Sequence, residues 1–166
     1  MKHLYWGDGK GKTTAAMGLA LRALAAGKKV VIVQFLKSAV SGEITGLEKL
    51  GAVVYRGKSE QKFVSQMTDE ERAVTREIQT ENLKKALSEN ADLLILDEAC
   101  AAWKYDMVDR ELLRSAVESP VEDREIVLTG REPADWMRET ADYETEMRCH
   151  KHPYSRGVKA RKGVEL

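Results

Sequence analysis

The chain has 166 residues, enough for one domain around one core. Lysine plus arginine and aspartate plus glutamate both total 27, so the formal net charge is zero, which argues against nucleic acid or an anionic membrane as a bulk electrostatic partner. No apolar run approaches the roughly 20 residues that span a bilayer; the opening Met1-Lys2-His3-Leu4-Tyr5 is no secretory leader, and the two cysteines, Cys100 and Cys149, form no disulfide framework, so a cytoplasmic protein is expected.

Residues Lys2 to Trp6 read as a short first strand. A glycine-rich stretch follows and runs into an Ala- and Leu-rich helix predicted over Thr13 to Ala26, stopped by Gly27. Lys29 to Leu36 is a continuous apolar run, as expected of a strand buried on both faces. A short helix is predicted over Glu43 to Leu50, and Gly51 leads into a strand at Ala52 to Tyr55. Residues 57–67 are polar and read as a long loop. Thr68-Asp69-Glu70-Glu71 is a capping box that opens a helix to about Glu89, with Asn90 suited to the left-handed position beyond it. Leu93 to Leu96 is a buried strand, and Asp109 can cap a helix that ends before Pro120. Glu125 to Leu128 is the next strand, Pro133 starts a helix, and Tyr143 to Met147 is the last strand. This alternation predicts a single α/β domain over residues 1–166, with a mostly parallel sheet of about six strands and helices on both faces. Ligands then sit at the carboxyl ends of the strands.

The stretch Gly7-Asp8-Gly9-Lys10-Gly11-Lys12-Thr13-Thr14 carries the chemistry. Such a loop turns successive backbone N–H groups inward to cradle an anion, and the helix N-terminus behind it adds partial positive charge. Lys12 would neutralise phosphate oxygens, and the Thr13 hydroxyl would hold Mg²⁺ or Mn²⁺. The general pattern is G-x-x-x-x-G-K-[ST], which places the first glycine where Trp6 stands. The loop is therefore either one residue tighter than usual or has a non-glycine at its entrance. Read together, the strand, loop and helix predict a three-layer phosphate-loop domain of the RecA-like kind, with a nucleoside triphosphate as ligand.

Leu93-Leu94-Ile95-Leu96-Asp97-Glu98 is an apolar strand ending in two acids. In phosphate-loop proteins this is the metal side of the site, and Asp97 or Glu98 can hold Mg²⁺ directly or through water. Arg131, at the end of a predicted strand, can reach ligand phosphates or lie on the surface. Arg22, on the loop's helix, can fold back toward the phosphates or face solvent. Cys149, His150 and His152 invite a metal reading, but no second Cys/His cluster completes a tetrahedral site.

These pieces in this order resemble the phosphate-loop ATP:corrinoid adenosyltransferases. The resembling motifs are Gly7 through Ala16, Val33-Gln34-Phe35-Leu36-Lys37, Leu96-Asp97-Glu98 with Lys104-Tyr105-Asp106, and Leu128-Thr129-Gly130-Arg131. They continue with Ala141-Asp142, Thr145-Glu146-Met147, and a tail running from Lys151-His152-Pro153-Tyr154 to Gly163-Val164-Glu165. The resemblance covers nearly the whole chain. It implies transfer of the 5′-deoxyadenosyl group of ATP to the cobalt of a reduced corrinoid, with release of triphosphate, in adenosylcobalamin biosynthesis or salvage. It also implies ATP and corrinoid as substrates, Mg²⁺ as cofactor, a homodimer, and a flavoprotein or other reductase as electron source. Lys12, Thr13 and Glu98 are then the catalytic set, with Arg22 and Arg131 as further phosphate contacts.

The chain departs from the family's pattern in several places. Asp8 stands where the family usually has Asn, which keeps an acceptor and loses a donor. The family shields the lower face of cobalt with bulky aromatics before the long helix; in Gly57 to Val64 of this chain Phe63 is the one aromatic, and it is either that shield or core packing. No N-terminal arm precedes the first strand, and Ala99-Cys100-Ala101-Ala102-Trp103 is divergent. Two other classes compete with the transferase. One is a phosphate-loop ATPase with Glu98 as base, and the other a non-catalytic protein that binds ATP or corrinoid. The tail and the loop spacing have no role in the ATPase. Which corrinoid is preferred stays open.

Overall fold

A computed structural model of the chain describes residues 1–37, 42–58, 62–119, 121, 123–161 and 163–164. Its strands are β1 (Lys2–Trp6), β2 (Val30–Gln34), β3 (Val53–Arg56), β4 (Leu93–Asp97), β5 (Glu125–Gly130) and β6 (Tyr143–Glu146). They form one six-stranded sheet in the order β3-β2-β4-β5-β1-β6, and every pairing is parallel. Parallel neighbours require crossovers, here supplied largely by helices. The main helices are α1 (Lys12–Ala25), α2 (Gly42–Lys49), α3 (Asp69–Ser88), α4 (Ala99–Lys104), α5 (Arg110–Glu118) and α6 (Asp135–Glu139).

The period-two pattern of the strands divides the interior into two cores. Val30 and Ile32 of β2 face α1 and α2, where they meet Ala16, Met17, Ala20, Ile44 and Leu47. Val31 and Val33 face the other way, onto the layer that holds Leu83, Ala99, Leu113, Val117 and Met137. Both faces of the central strands are covered, and every residue of β2 and β4 is buried. The apolar runs in the sequence are a direct consequence. The fold is three-layered and α/β, as the sequence predicts.

Several local features follow from identifiable side chains. The Thr68 hydroxyl accepts from Glu71 N–H at 3.2 Å, and Glu71 accepts from Thr68 N–H at 2.9 Å, which closes the capping box of α3. Asp109 accepts from Leu112 N–H at 2.9 Å and starts α5. Gly27 takes φ +74 just past α1, the left-handed conformation that ends a helix.

Three expectations shift. Asn90 is not left-handed; α3 ends instead at Glu89, whose backbone is extended (φ −75, ψ 135). Pro133 lies two residues before α6, because Ala134 takes the extended N-cap position. The predicted loop over 57–67 contains a short 3₁₀ turn at Val64–Gln66, and its residues 59–61 lie outside the described residues, as do Pro120 and Glu165.

Candidate functional site

At the carboxyl ends of the strands, Gly7 to Gly11 joins β1 to α1. Trp6 is the last residue of β1, so the loop opens on Gly7 and is one residue short of the general pattern. The glycines answer a packing demand as well as a ligand. A Cβ on Gly7 would collide with the Met147 carbonyl, and one on Gly9 would sit 2.7 Å from it. Gly9 N–H donates to that same oxygen at 2.7 Å, and Gly7 N–H donates to the Arg131 carbonyl at 3.3 Å. The loop is thus pressed between the chain after β6 and the chain after β5. Gly11, at φ +117, is the N-cap of α1.

The buried end of β4 organises the rest. Asp97 is fully buried and accepts four hydrogen bonds. Thr13 and Thr129 hydroxyls reach Oδ1 at 2.9 and 2.7 Å, while Lys37 Nζ and Gln34 Nε2 reach Oδ2 at 2.7 and 3.2 Å. Glu98 follows in the left-handed region at φ +61, its N–H donating to Thr129 Oγ1 at 2.9 Å. That turn starts α4, whose Cys100 lies against Gly130 so closely that a Cβ there would overlap it. The missing side chain of Gly130 is therefore what lets β5 pass close to α4. Burial pushes the Cys100 thiol up to about 12, which leaves it inert.

The Glu98 carboxyl takes no side-chain hydrogen bond among the described residues. Burial raises its pKa, and Asp97 raises it further, while Lys37, Lys12 and Arg131 pull it down. Lys12 Nζ donates to the Gly9 carbonyl at 2.7 Å, and burial lowers its pKa against the opposing charge of Glu98. The Glu98 carboxylate and the Thr13 hydroxyl are hard oxygen groups of the kind that could hold Mg²⁺, while the three cations oppose the negative charge of Glu98. Asp97 has its oxygens occupied, and the Thr13 hydroxyl donates to it while accepting a long contact from Lys37 Nζ at 3.4 Å, so Glu98 is the least engaged of these oxygens.

Lys12, Thr13, Lys37, Glu98 and Arg131 line a cleft of about 1440 Å³, with Asp97 buried behind them. One small ligand occupies roughly 300–1,000 Å³, so the cleft has room for more than one. Among the described residues its lining holds six Lys or Arg against three acids, a local excess that the neutral chain as a whole does not show. The far wall is made by the tail. Cys149 N–H donates to Asp8 Oδ1 at 3.0 Å, and Lys10 Nζ donates to the Val164 carbonyl at 3.3 Å. A 3₁₀ turn at Pro153–Arg156 presents Tyr154, and Phe63 projects from the loop before α3.

Most of the sequence-predicted site meets in this cleft. Asp8, Gly9, Lys10, Gly11, Lys12, Thr13, Thr14, Glu98, Arg131 and Phe63 all line it. Phe63 is 77% exposed, which rules out core packing. Arg22 does not join them: it lies exposed in the last turn of α1, roughly 15 Å along the helix from Lys12, with Tyr5 in its field. Lys37 and Tyr154 are site residues that the sequence presents only as parts of longer motifs. Cys149 and His152 line the cleft, but among the described residues no group of three or more His, Cys, Asp and Glu converges.

The family model described as ATP:corrinoid adenosyltransferase BtuR/CobO/CobP matches residues 1–166. This chain belongs to the ATP:corrinoid adenosyltransferase family. A corrinoid adenosyltransferase of Sinorhizobium is 37% identical over 165 residues, covering 96% of this chain and 77% of its own length. Those of Escherichia coli K12 and Salmonella typhimurium are 34% and 31% identical, each covering 98% of this chain and 83% of their own length. As a corrinoid adenosyltransferase, the chain takes ATP and a corrinoid as its substrates. No helix among the described residues is long and apolar enough to cross a membrane.

Proposed function

We propose that this adenosyltransferase holds the triphosphate of ATP on the Gly7–Gly11 loop and delivers the 5′ carbon to the cobalt of a reduced corrinoid. Cobalt(I) attacks that carbon, the C5′–O bond breaks, and triphosphate leaves with the bonding electrons. The nucleophile is the substrate's own metal, so no general base is needed. The protein's work is to hold the leaving group, oppose its charge and align the two partners. One observation carries this reading: the donor-free Glu98 carboxylate and the cations Lys12, Lys37 and Arg131 share one cleft with the exposed ring of Phe63.

In this reading Lys12 and Arg131 meet the triphosphate, while Thr13 and Glu98 hold Mg²⁺, which when bound supplies charge to the leaving group. Asp97 orients the Thr13 hydroxyl by accepting its hydrogen bond at 2.9 Å, which turns the oxygen lone pairs away from Asp97. Phe63 offers an apolar wall to one face of the corrin ring. A homodimer and a separate reductase, flavoprotein or other, complete the proposal, in the cytoplasm. Product analysis with ATP, Mg²⁺ and chemically reduced corrinoid tests it. Triphosphate and an alkylated corrinoid are expected; ADP and phosphate would mean hydrolysis, and binding without products would mean a carrier.

A further inference from the structure

The ammonium of Lys37 lies against the oxygens of the metal site proposed above. Its Nζ lies 2.7 Å from Asp97 Oδ2 and 3.4 Å from Thr13 Oγ1. It is also the foremost of the cations acting on the Glu98 carboxyl. One positive charge thus faces the hydroxyl and both acids of the metal site proposed above. The backbone fixes it there. Leu36, just before it, has φ +59, a left-handed conformation that a leucine rarely adopts and that marks a position dictated by its surroundings. Leu36 N–H donates to the buried Gln79 Oε1 at 3.3 Å, and the Lys37 carbonyl accepts from Gly57 N–H at 3.2 Å. Both α3 and the end of β3 therefore hold the turn that aims Lys37. Its side chain is one-third exposed, on the cleft side.

We propose that Lys37 is a resident counter-ion that keeps the divalent-ion site closed until nucleotide binds. Asp97 is fully buried, and an ionised carboxylate there requires a partner charge. A free divalent ion must displace the ammonium and leave Lys37 with no anion to face. Triphosphate on the loop changes that balance, because it offers Lys37 a new anionic partner at the same cleft. Metal and nucleotide then load together, and the coupling is reciprocal. Lys37 acts here as a positioning residue. The inference rests on the reading of Thr13 and Glu98 as the metal-holding oxygens.

Titration with Mn²⁺, followed by the resonance of the free ion, tests it with and without ATP. In the absence of ATP, Lys37→Met is expected to bind Mn²⁺ about tenfold more tightly than wild type, and the gain that ATP confers should shrink by the same factor. Adding Glu98→Gln to Lys37→Met should erase the improvement. Lys37→Gln removes the charge but keeps an N–H for Asp97, so it gives the same readout if Lys37→Met fails to fold. An ATP-free Mn²⁺ affinity that is unchanged or weaker in these variants overturns the inference. If that happens while Glu98→Gln alone abolishes ATP-dependent Mn²⁺ uptake, the metal site stands and only the role of Lys37 falls. If Glu98→Gln leaves that uptake unchanged, the metal site itself is wrongly placed and the inference falls with it.

Discussion

The two walls of the cleft are built on opposite terms. The loop wall is closed by hydrogen bonds: Asp97 alone accepts four, and Gly7 and Gly9 are pinned to the carbonyls of Arg131 and Met147. The facing wall presents Phe63 and Tyr154, which are 77% and 80% exposed. The difference matches what the two substrates would demand in the positions proposed for them. A triphosphate is stabilised by charges and dipoles already in position, since any reorganisation during reaction weakens their effect. A broad apolar ring needs surface, which loops and a tail can supply after it arrives.

Breaking the loop wall should have the larger effects. Lys12→Ala is expected to lower turnover about a thousandfold, the scale of one lost preorganised donor, while leaving the melting temperature near wild type. A folded Lys12→Ala protein with normal turnover would detach the chemistry from this loop. Asp97→Ala should instead cost stability, about 3 kcal/mol, the low end for breaking a buried pair because Lys37 is one-third exposed; denaturant unfolding measures it. Gly9→Ala pushes a methyl to 2.7 Å from the Met147 carbonyl. A loss of about 2 kcal/mol is expected from this overpacking, together with faster proteolysis of the tail beyond Met147.

A subtler probe of the same wall is pH. The Glu98 pKa is raised by burial, so the folded form binds the proton more tightly than the unfolded chain does. Stability from this group is complete below the ordinary carboxylate range and is lost as pH rises through the raised value. Without metal, Glu98→Gln should therefore flatten the fall in melting temperature over that window and gain stability near neutral pH. An identical slope in both proteins would show that Glu98 titrates normally.

The smallest effect on stability is expected on the facing wall. Phe63→Ala should change unfolding free energy by less than about 0.5 kcal/mol, as at other exposed positions. ATP binding and transfer to cobalt(I) made by strong reductants should survive. Reaction from cobalt(II) with a mild reductant should slow, because an apolar wall excludes the axial ligand and so eases reduction. Equal four-coordinate cobalt(II) spectra in wild type and variant would remove Phe63 from this role.

The loop wall was largely legible in the sequence; of the facing wall only Phe63 and the tail motif were named, and not that they share one cleft. Lys12, Thr13, Asp97 and Glu98 announce themselves because strand, loop and helix fix their relation within a few residues. The capping box at Thr68 is equally local, and it formed as read. Helix α4 escaped notice because it is six residues long and starts from a left-handed Glu98 rather than a capping side chain. Arg22 was misplaced because proximity along a helix is not proximity in space: ten residues carry it to the other end of α1. Lys37 was hidden in an apolar motif, since its partner Asp97 lies 60 residues away. The exposure of Phe63 depends on how the loop before α3 lies against the cleft, which no short-range pattern encodes.

The position of β1 in the sheet has a consequence for how the protein is made. Its neighbours are β5 and β6, so the first strand of the chain pairs only with the last two. During synthesis β1 and the glycine loop emerge early and remain without sheet partners for on the order of ten seconds at typical elongation rates. The glycine loop, made before either strand that β1 pairs with, is then among the later parts of the sheet to gain its support. A ribosome stalled before residue 125 would display an intact glycine loop whose sheet partners do not yet exist.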